Sequence, residues 1–137
     1  MSWLLDTNVV SELRKGSRCD PGVSAWRRSV TPNSSYLSVL VVGEIRRGIE
    51  SIRRRDAASA NALDQWLNRL TSEYAGRILP VDLSVAESWG KLNVPDPVPA
   101  IDGLLAATAL VHDLTLVTRN AADIGRTGVR CINPFHS

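Results

Sequence analysis

The chain has 137 residues, the length of one globular domain, which predicts a single domain over residues 1–137 with a core that needs neither disulfides nor a structural metal. Apolar residues make up 44% and charged residues 22% of the sequence, a composition that excludes a disordered or low-complexity chain. No apolar run is long enough to span a bilayer and no signal-peptide pattern is present, so we expect a cytoplasmic protein.

The cysteines and histidines offer little for metal or base chemistry. Cys19 and Cys131 lie in no CxxC pair, which favours reduced structural thiols over a zinc site and leaves a disulfide between them open. His112 and His136 have no metal-binding spacing. Any catalysis therefore has to be carried out by carboxylates.

The net charge of +2 is unevenly distributed along the chain. Residues 1–55 contain ten Lys or Arg and five Asp or Glu, whereas residues 56–137 contain six and nine. Such asymmetry is a weak indication of a polyanionic partner. The basic residues are densest over residues 46–55, where a helix would place Arg46 and Arg47 opposite its apolar side. This basic side predicts either a solvated helix surface or a contact for phosphates, and the sequence does not choose between them.

The first half of the chain alternates short apolar strands with helices. In chain order, the patterns predict a strand over 2–5, helices over 7–16 and 20–30, a strand over 35–38, a helix that contains Glu44, and a helix over 56–76. Capping residues support these assignments: Gly16 for a C-cap, Asp20 for an N-cap and Pro21 for a first helical position.

The second half continues the same alternation. The patterns predict a strand over 77–82, a helix over 83–92, a proline-rich loop over 93–99, a helix over 100–113, a strand over 114–118, a loop over 119–128 and a strand over 129–133. Alternating strands and helices require crossover connections, which predicts an α/β fold with a mostly parallel sheet and helices on both faces. Ligands of such sheets bind at the carboxyl ends of the strands.

Four acidic residues come at or soon after the carboxyl end of a predicted strand: Asp6, Glu44, Asp102 and Asp123. When Asp102 is considered by itself, it has a structural interpretation, because the helix dipole stabilises an acid in a first turn. Asp123, considered by itself, fits a loop or capping aspartate. Together they suggest a site, since carboxylates that converge repel one another unless a cation is bound. Mg2+ or Mn2+ takes oxygen ligands and can activate water to attack a phosphodiester.

Four segments of the chain, in this order, closely resemble PIN-domain ribonucleases, and within them the VapC toxins of toxin–antitoxin pairs: "LLDTNVVSELRK", "VLVVGEIRRGI", "AIDGLLAATAL" and "LVTRNAADI". The resemblance extends over nearly the whole chain. It implies a PIN-like three-layer sandwich and a metal-dependent endoribonuclease. One difference is Ile124, where the family often has an aromatic residue after the last acid.

By this resemblance, Asp6, Glu44, Asp102 and Asp123 occupy the acidic positions with which the family holds Mg2+ or Mn2+ for RNA cleavage. We expect Asp6 and Asp102 to be direct ligands. Glu44 is expected to be a ligand or the group that orients the attacking water, and Asp123 a ligand of a second metal or a neighbour of the ligands.

Five further residues belong to the same family segments: Thr7, Asn8, Thr118, Arg119 and Asn120. We expect Thr118 and Asn120 to donate hydrogen bonds to the crowded acids, although Thr118 also fits a satisfied strand end. For Arg119 two interpretations stay open, which are contact with the scissile phosphate and neutralisation of the acidic edge.

The resemblance also implies partners. These are an RNA substrate, a second copy of the chain in a homodimer, and a VapB-like antitoxin whose C-terminal segment covers the acidic groove. The toxin–antitoxin hetero-oligomer would contact operator DNA only through the antitoxin, and no membrane is involved. As a hypothesis, we place the partner surface on the apolar side of the first helices.

Two other functions stay open at this level. A phosphoryl-transfer enzyme with Asp6 as nucleophile usually has a second Asp two residues later, where this chain has Asn8. A non-catalytic receiver-like or RNA-binding module with an acidic metal site is the alternative from another class. The sequence does not identify the RNA target, the number of metal ions or a base-contacting residue.

Overall fold

Five strands form one all-parallel sheet in the computed structural model, which describes residues 1–136. The strands are β1 (Trp3–Leu5), β2 (Ser35–Ser38), β3 (Ile78–Leu79), β4 (Thr115–Val117) and β5 (Cys131–Ile132). Their order across the sheet is β3-β2-β1-β4-β5, and every neighbouring pair is parallel. The α/β sandwich with a parallel central sheet is therefore confirmed.

Strand β1 is the centre of the sheet, where Leu4 lies opposite Tyr36 of β2 on one side and Leu116 of β4 on the other. From β1 the chain first builds β2 and β3 on one side, and then crosses to build β4 and β5 on the other. The reversal of direction makes a crevice between the carboxyl ends of β1 and β4. Residues that directly follow these two strands, Asp6 and Thr118, lie at that crevice.

Helices cover the sheet through crossover connections. They are α1 (Thr7–Leu13), α2 (Pro21–Ser29), α3 (Val39–Arg53), α4 (Ala57–Glu73), α5 (Leu83–Leu92), α6 (Ala100–Val111) and α7 (Ala121–Ile124). Asp20 caps α2 by accepting hydrogen bonds from the amides of Gly22 and Val23, as its sequence position predicts. Asp56 and Asp82 cap α4 and α5 in the same way.

Several predicted boundaries differ from the structure. The strand predicted over 77–82 comprises only Ile78–Leu79, the strand predicted over 129–133 only Cys131–Ile132, and the helix predicted over 56–76 ends at Glu73. The predicted loop over 119–128 contains the four-residue helix α7 and a 3-10 turn over Gly125–Thr127. A single turn is too short to show apolar periodicity, and only the buried Ile124 connects α7 to the core. Helix α1 ends at Leu13 instead of at Gly16, whose φ of +60° starts a separate 3-10 turn.

The core is built from the strands and from the inward sides of the helices. Leu4, Leu5 and Leu116 of the sheet are fully buried, and Val9 and Val10 of α1 pack with them. Both valines are core residues, so the predicted partner surface on the apolar side of the first helices does not include them. None of the helices in residues 1–136 has the length and apolar character needed to cross a membrane. Cys19 and Cys131 are free thiols.

Candidate active site

Asp6 is the most tightly held acid at the carboxyl edge of the sheet. It follows β1 directly, caps α1, and has an exposed fraction of only 5%. Its Oδ1 accepts a hydrogen bond of 2.7 Å from the amide of Thr7, and its Oδ2 accepts one of 2.7 Å from the hydroxyl of Thr118. The Asn8 side-chain amide lies 3.5 Å from the same Oδ2. Both carboxylate oxygens are thereby fixed in direction.

Glu44 is connected to the same corner by Thr7. The Thr7 hydroxyl donates a 2.5 Å hydrogen bond to Oε1 of Glu44, which lies in the second turn of α3. Helix α3 begins directly after β2, the strand next to β1, so neighbouring strands deliver both acids to one edge. Thr7 therefore joins two of the predicted site residues, with its amide on Asp6 and its hydroxyl on Glu44.

Asp102 and Asp123 approach from the other side of the crevice. Asp102 lies in the first turn of α6 and is partly buried, while Asp123 lies in α7 and is exposed. Burial is the largest cause that raises the pKa of Asp102, and the charges of Asp6, Glu44 and Asp123 raise it further. Nothing in the described chain lowers that pKa by donating a hydrogen bond. Asp102 thus lies close enough to the other three predicted acids for their charges to act on it.

The electrostatics of the edge favour a bound cation. Burial is the largest influence on the pKa of Asp6 and raises it; together with the charge of Glu44 it outweighs the hydrogen bonds from Thr118 and Thr7, which lower this pKa. A hard divalent ion fits this set, because all the candidate ligand atoms are carboxylate oxygens. Within residues 1–136, no group of three or more His, Cys, Asp or Glu side chains is arranged so that it could hold a metal ion. An ion bound by fewer of these acids would take its other ligands from water or substrate oxygens, as is usual for Mg2+.

The hydrogen bonds of the supporting residues agree with the prediction for Thr118, differ from it for Asn120 and add to it for Asn8. The expected hydrogen bond from Thr118 to an acid is present. Asn120 differs from the prediction, because in the described chain its backbone amide donates to the Thr118 hydroxyl at 3.1 Å and its side chain donates no hydrogen bond to an acid. Asn8 does more than the sequence indicated: its Oδ1 accepts from the Arg119 amide at 3.2 Å while its Nδ2 points to Asp6.

Comparisons with known proteins identify the family. The sequence pattern of the PIN domain matches residues 3–128. The chain belongs to the PIN-domain family. This PIN domain is 35% identical to toxin FitB of Neisseria gonorrhoeae, over 97% of this chain and 98% of that protein. It is 34% identical to VapC ribonuclease Y4jK of Sinorhizobium fredii, over 96% of each.

Solved structures agree with this assignment. The crystal structure of FitAcB from Neisseria gonorrhoeae matches this PIN domain with a TM-score of 0.89 at 33% identity, covering 98% of this chain and 99% of the other. VapBC2 from Rickettsia felis, bound to a DNA fragment from its promoter, matches with a TM-score of 0.76 at 17% identity and shows the fold alone. The predicted membership of the PIN and VapC family is confirmed.

Arg119 of the PIN domain stacks on an aromatic ring that sequence reasoning missed. Its guanidinium carbon lies 3.9 Å from the centroid of the Phe135 ring. In residues 1–136 it forms no ion pair with Asp6, Glu44, Asp102 or Asp123, and both interpretations of Arg119 stay predictions. The sequence did contain a signal for this contact. Arg119 and Phe135 come after β4 and β5, and residues that follow neighbouring parallel strands meet at one edge of the sheet.

The two arginines predicted on the basic side of α3 differ in their contacts. Arg46 donates to Glu50 at 3.1 Å and contacts Asp64 of α4, which Arg53 contacts as well. Arg46 therefore joins two helices, whereas Arg47 is exposed and its guanidinium forms no ion pair in the described part of the chain.

Proposed function

We propose that this PIN domain is the ribonuclease toxin of a VapC-type toxin–antitoxin pair and hydrolyses RNA phosphodiesters with Mg2+ or Mn2+. The observation that supports the proposal is that Asp102 of α6 lies near enough to Asp6, Glu44 and Asp123 for their charges to raise its pKa, while Asp6 directly follows the central strand at the switch point of the sheet. Two relatives with about a third of their residues identical, named a toxin and a VapC ribonuclease, support it.

Each side chain has a part that follows from its surroundings. A bound divalent ion supplies a Lewis acid for the phosphate and an activated water. Asp6, fixed at both oxygens, and Asp102, without a donor in the described chain, would hold that ion. Glu44 is held by Thr7 with one oxygen free to orient the attacking water. Asp123 is exposed and would bind through water or a second ion.

Thr118 and Thr7 keep the acids ready for a cation. Their hydrogen bonds lower the pKa of Asp6 against the effect of burial, so the carboxylate is charged over a wider pH range. Fixed orientation matters as well, because a ligand that is held before binding loses little conformational entropy when the ion arrives. The two threonines thus act on the acids and not on the RNA.

An antitoxin segment has a suitable groove beside the acids. A cavity of about 300 Å3 runs between α1, α3 and α4, with Glu44 and Thr7 at one end and the apolar side chains of Ile45, Ile49 and Ile52 along it. A toxin–antitoxin complex from Klebsiella pneumoniae shares the fold, with a TM-score of 0.75, and FitAB, at 32% identity, has been solved bound to a DNA fragment. We propose that an antitoxin segment with apolar residues and a basic residue fills this groove, covers Glu44, and brings a homodimer of the toxin to operator DNA through the antitoxin.

The decisive experiment is cleavage of a structured RNA by the purified, antitoxin-free protein with Mg2+, with Mn2+ and with EDTA. Asp6→Asn and Asp102→Asn remove a charge at nearly constant size and are expected to abolish cleavage. Asp113→Asn is the matched control, because Asp113 is exposed, lies before β4 at the opposite edge, and has a φ of 55° that Asn tolerates. Equal cleavage by all three variants would refute the proposal, and metal-dependent RNA binding without cleavage would favour the non-catalytic module.

A further inference from the structure

The segment that follows β5 crosses the carboxyl edge of the sheet and reaches the start of α2. We call residues 133–136 the strap. Phe135, in the strap, is partly buried against the core, and the Arg119 guanidinium carbon lies 3.9 Å from its ring centroid. This distance is well within the range of an attractive cation–π contact. The strap therefore brings an aromatic ring to the residue that follows Thr118.

Both ends of the strap are fixed to the domain. At its start, the amide of Thr118 donates to the carbonyl of Ile132 at 2.9 Å. At its other end, the amide of His136 donates to Oδ2 of Asp20 at 2.9 Å. The close approach depends on Gly22, since a Cβ atom there would lie 2.6 Å from the His136 nitrogen. Position 22 therefore controls whether the strap can lie against α2.

Arg119 is held by a hydrogen bond at its backbone and by the Phe135 ring at its guanidinium, but the guanidinium N–H groups have no acceptor within residues 1–136. The Arg119 amide donates to Oδ1 of Asn8, whose amide group is next to Asp6. Its guanidinium donates no hydrogen bond within residues 1–136 and is held there by the Phe135 ring. A stacked guanidinium keeps its edge open, and this planar fork matches the oxygens of a phosphate.

We propose that Phe135 is a positioning residue that holds the guanidinium of Arg119, the residue after Thr118, in place to bind a phosphate of the RNA. The proposal rests on the proposed function for the identity of the ligand. Phe135 acts through Arg119 and does not itself stack on a base. Without the ring, Arg119 is an exposed side chain with many rotamers, and ordering it on the RNA costs entropy.

The test measures the binding of a labelled single-stranded RNA by fluorescence anisotropy in EDTA, at several salt concentrations. All proteins have Asp102→Asn, which prevents cleavage and removes no hydrogen bond from the site. Arg119→Gln, Phe135→Leu and Gly22→Ala are each expected to weaken binding about fivefold. The slope of log K against log salt should become shallower by about 0.7 for the loss of one phosphate contact to a single strand. Phe135→Tyr keeps the ring and should bind like the parent.

Two controls separate positioning from general effects. Arg69→Gln removes the same charge from α4, near the end that leads to the start of β3 and so to the opposite edge of the sheet, and should leave affinity unchanged. Combining Phe135→Leu with Arg119→Gln should weaken binding no further than Arg119→Gln alone, because the ring acts through the arginine. Additive losses, or weaker binding by Phe135→Leu at an unchanged salt slope, would overturn the proposal.

Cleavage assays with intact Asp102 distinguish this inference from the proposed function. Loss of the positioned arginine should raise KM more than it lowers kcat, and thermal unfolding of each variant checks the fold. If the parent cleaves RNA with metal while Phe135→Leu and Arg119→Gln leave KM and affinity unchanged, the positioning role is wrong and the ribonuclease stands. If the parent cleaves nothing, the ribonuclease is wrong, and the anisotropy data still decide on Phe135.

Discussion

The hydroxyl of Thr118 donates a 2.7 Å hydrogen bond to Oδ2 of Asp6, although 112 positions separate the two residues in sequence. Both are buried, with exposed fractions of 0% and 5%. The contact exists because β1 and β4 are adjacent parallel strands, so the residues that follow them meet at one edge. It lowers the pKa of a carboxyl group whose pKa burial raises. This pair is the structural centre of the acidic site.

Replacing Thr118 by Val should impair the site with little change in side-chain volume. Loss of the donor raises the pKa of Asp6 further and frees Oδ2, so metal affinity and RNA cleavage should fall about tenfold or more. Folding stability should fall by about 1 kcal/mol, because a buried carboxylate loses a partner. Thr118→Ser keeps the hydroxyl and serves as the control. Cleavage rates and urea unfolding test both effects, and a fully active Thr118→Val protein would contradict this role.

Asp102→Asn should change how stability depends on pH. Burial and the neighbouring acids raise the pKa of Asp102 above its usual range, so the folded state retains the proton to higher pH than the unfolded state does. The stability that this proton provides is complete below the unfolded pKa and is lost as pH rises through the folded pKa. In EDTA the variant should therefore match wild type near pH 3 and exceed it at pH 7 by about 0.5 kcal/mol, a small gain because water screens a partly exposed charge.

Urea unfolding at several pH values measures this difference. Asp113→Asn is again the control, since its carboxylate is exposed and pairs with Arg130 instead of facing other acids. A variant that becomes less stable than wild type as pH rises would show that the charge of Asp102 stabilises helix α6. That result would favour the structural interpretation of this aspartate over the metal site.

Mg2+ or Mn2+ should stabilise the folded protein through the same acids. An ion that binds only the folded state adds about 1.4 kcal/mol when its concentration is ten times Kd, which corresponds to about 3–6 °C in Tm for a chain of this size. Asp6→Asn and Asp102→Asn should abolish the increase, and Asp113→Asn should retain it. Calorimetry with each ion tests this without RNA. An equal increase in all variants would place the ion elsewhere on the protein.

The two arginines on α3 should have separable effects. Arg46→Gln removes contacts with Glu50 and Asp64, so it should lower the urea midpoint and leave RNA affinity nearly unchanged. Arg47→Gln removes an exposed cation without an ion pair in the described chain, so it should weaken RNA binding and leave the midpoint unchanged. Anisotropy and urea unfolding on both variants provide the comparison. The reverse pattern would make Arg46 the phosphate contact.

Regular elements were predictable wherever a local pattern extends over several turns. The helix over 83–92 is present with the predicted bounds, and α2 begins at Pro21 after the Asp20 cap, as predicted. Helix α7 was not predictable, because four residues contain too little periodicity and its position depends on the burial of Ile124. The end of α1 at Leu13 likewise depends on the following turn and not on Gly16 alone.

The fold class and the candidate acids were predictable from the sequence, because strand and helix periods are local and Asp6, Glu44 and Asp123 follow strands that share one edge. The expectation that Asp102 also follows a strand was wrong, since α6 comes after helix α5 and the loop over 93–99. The tertiary structure decided which groups act on those acids: Thr7 on Glu44, Thr118 on Asp6, and the Phe135 ring on Arg119. These contacts join residues far apart in the chain, and no local preference encodes them. They arise only when the order of the strands brings separate carboxyl ends together.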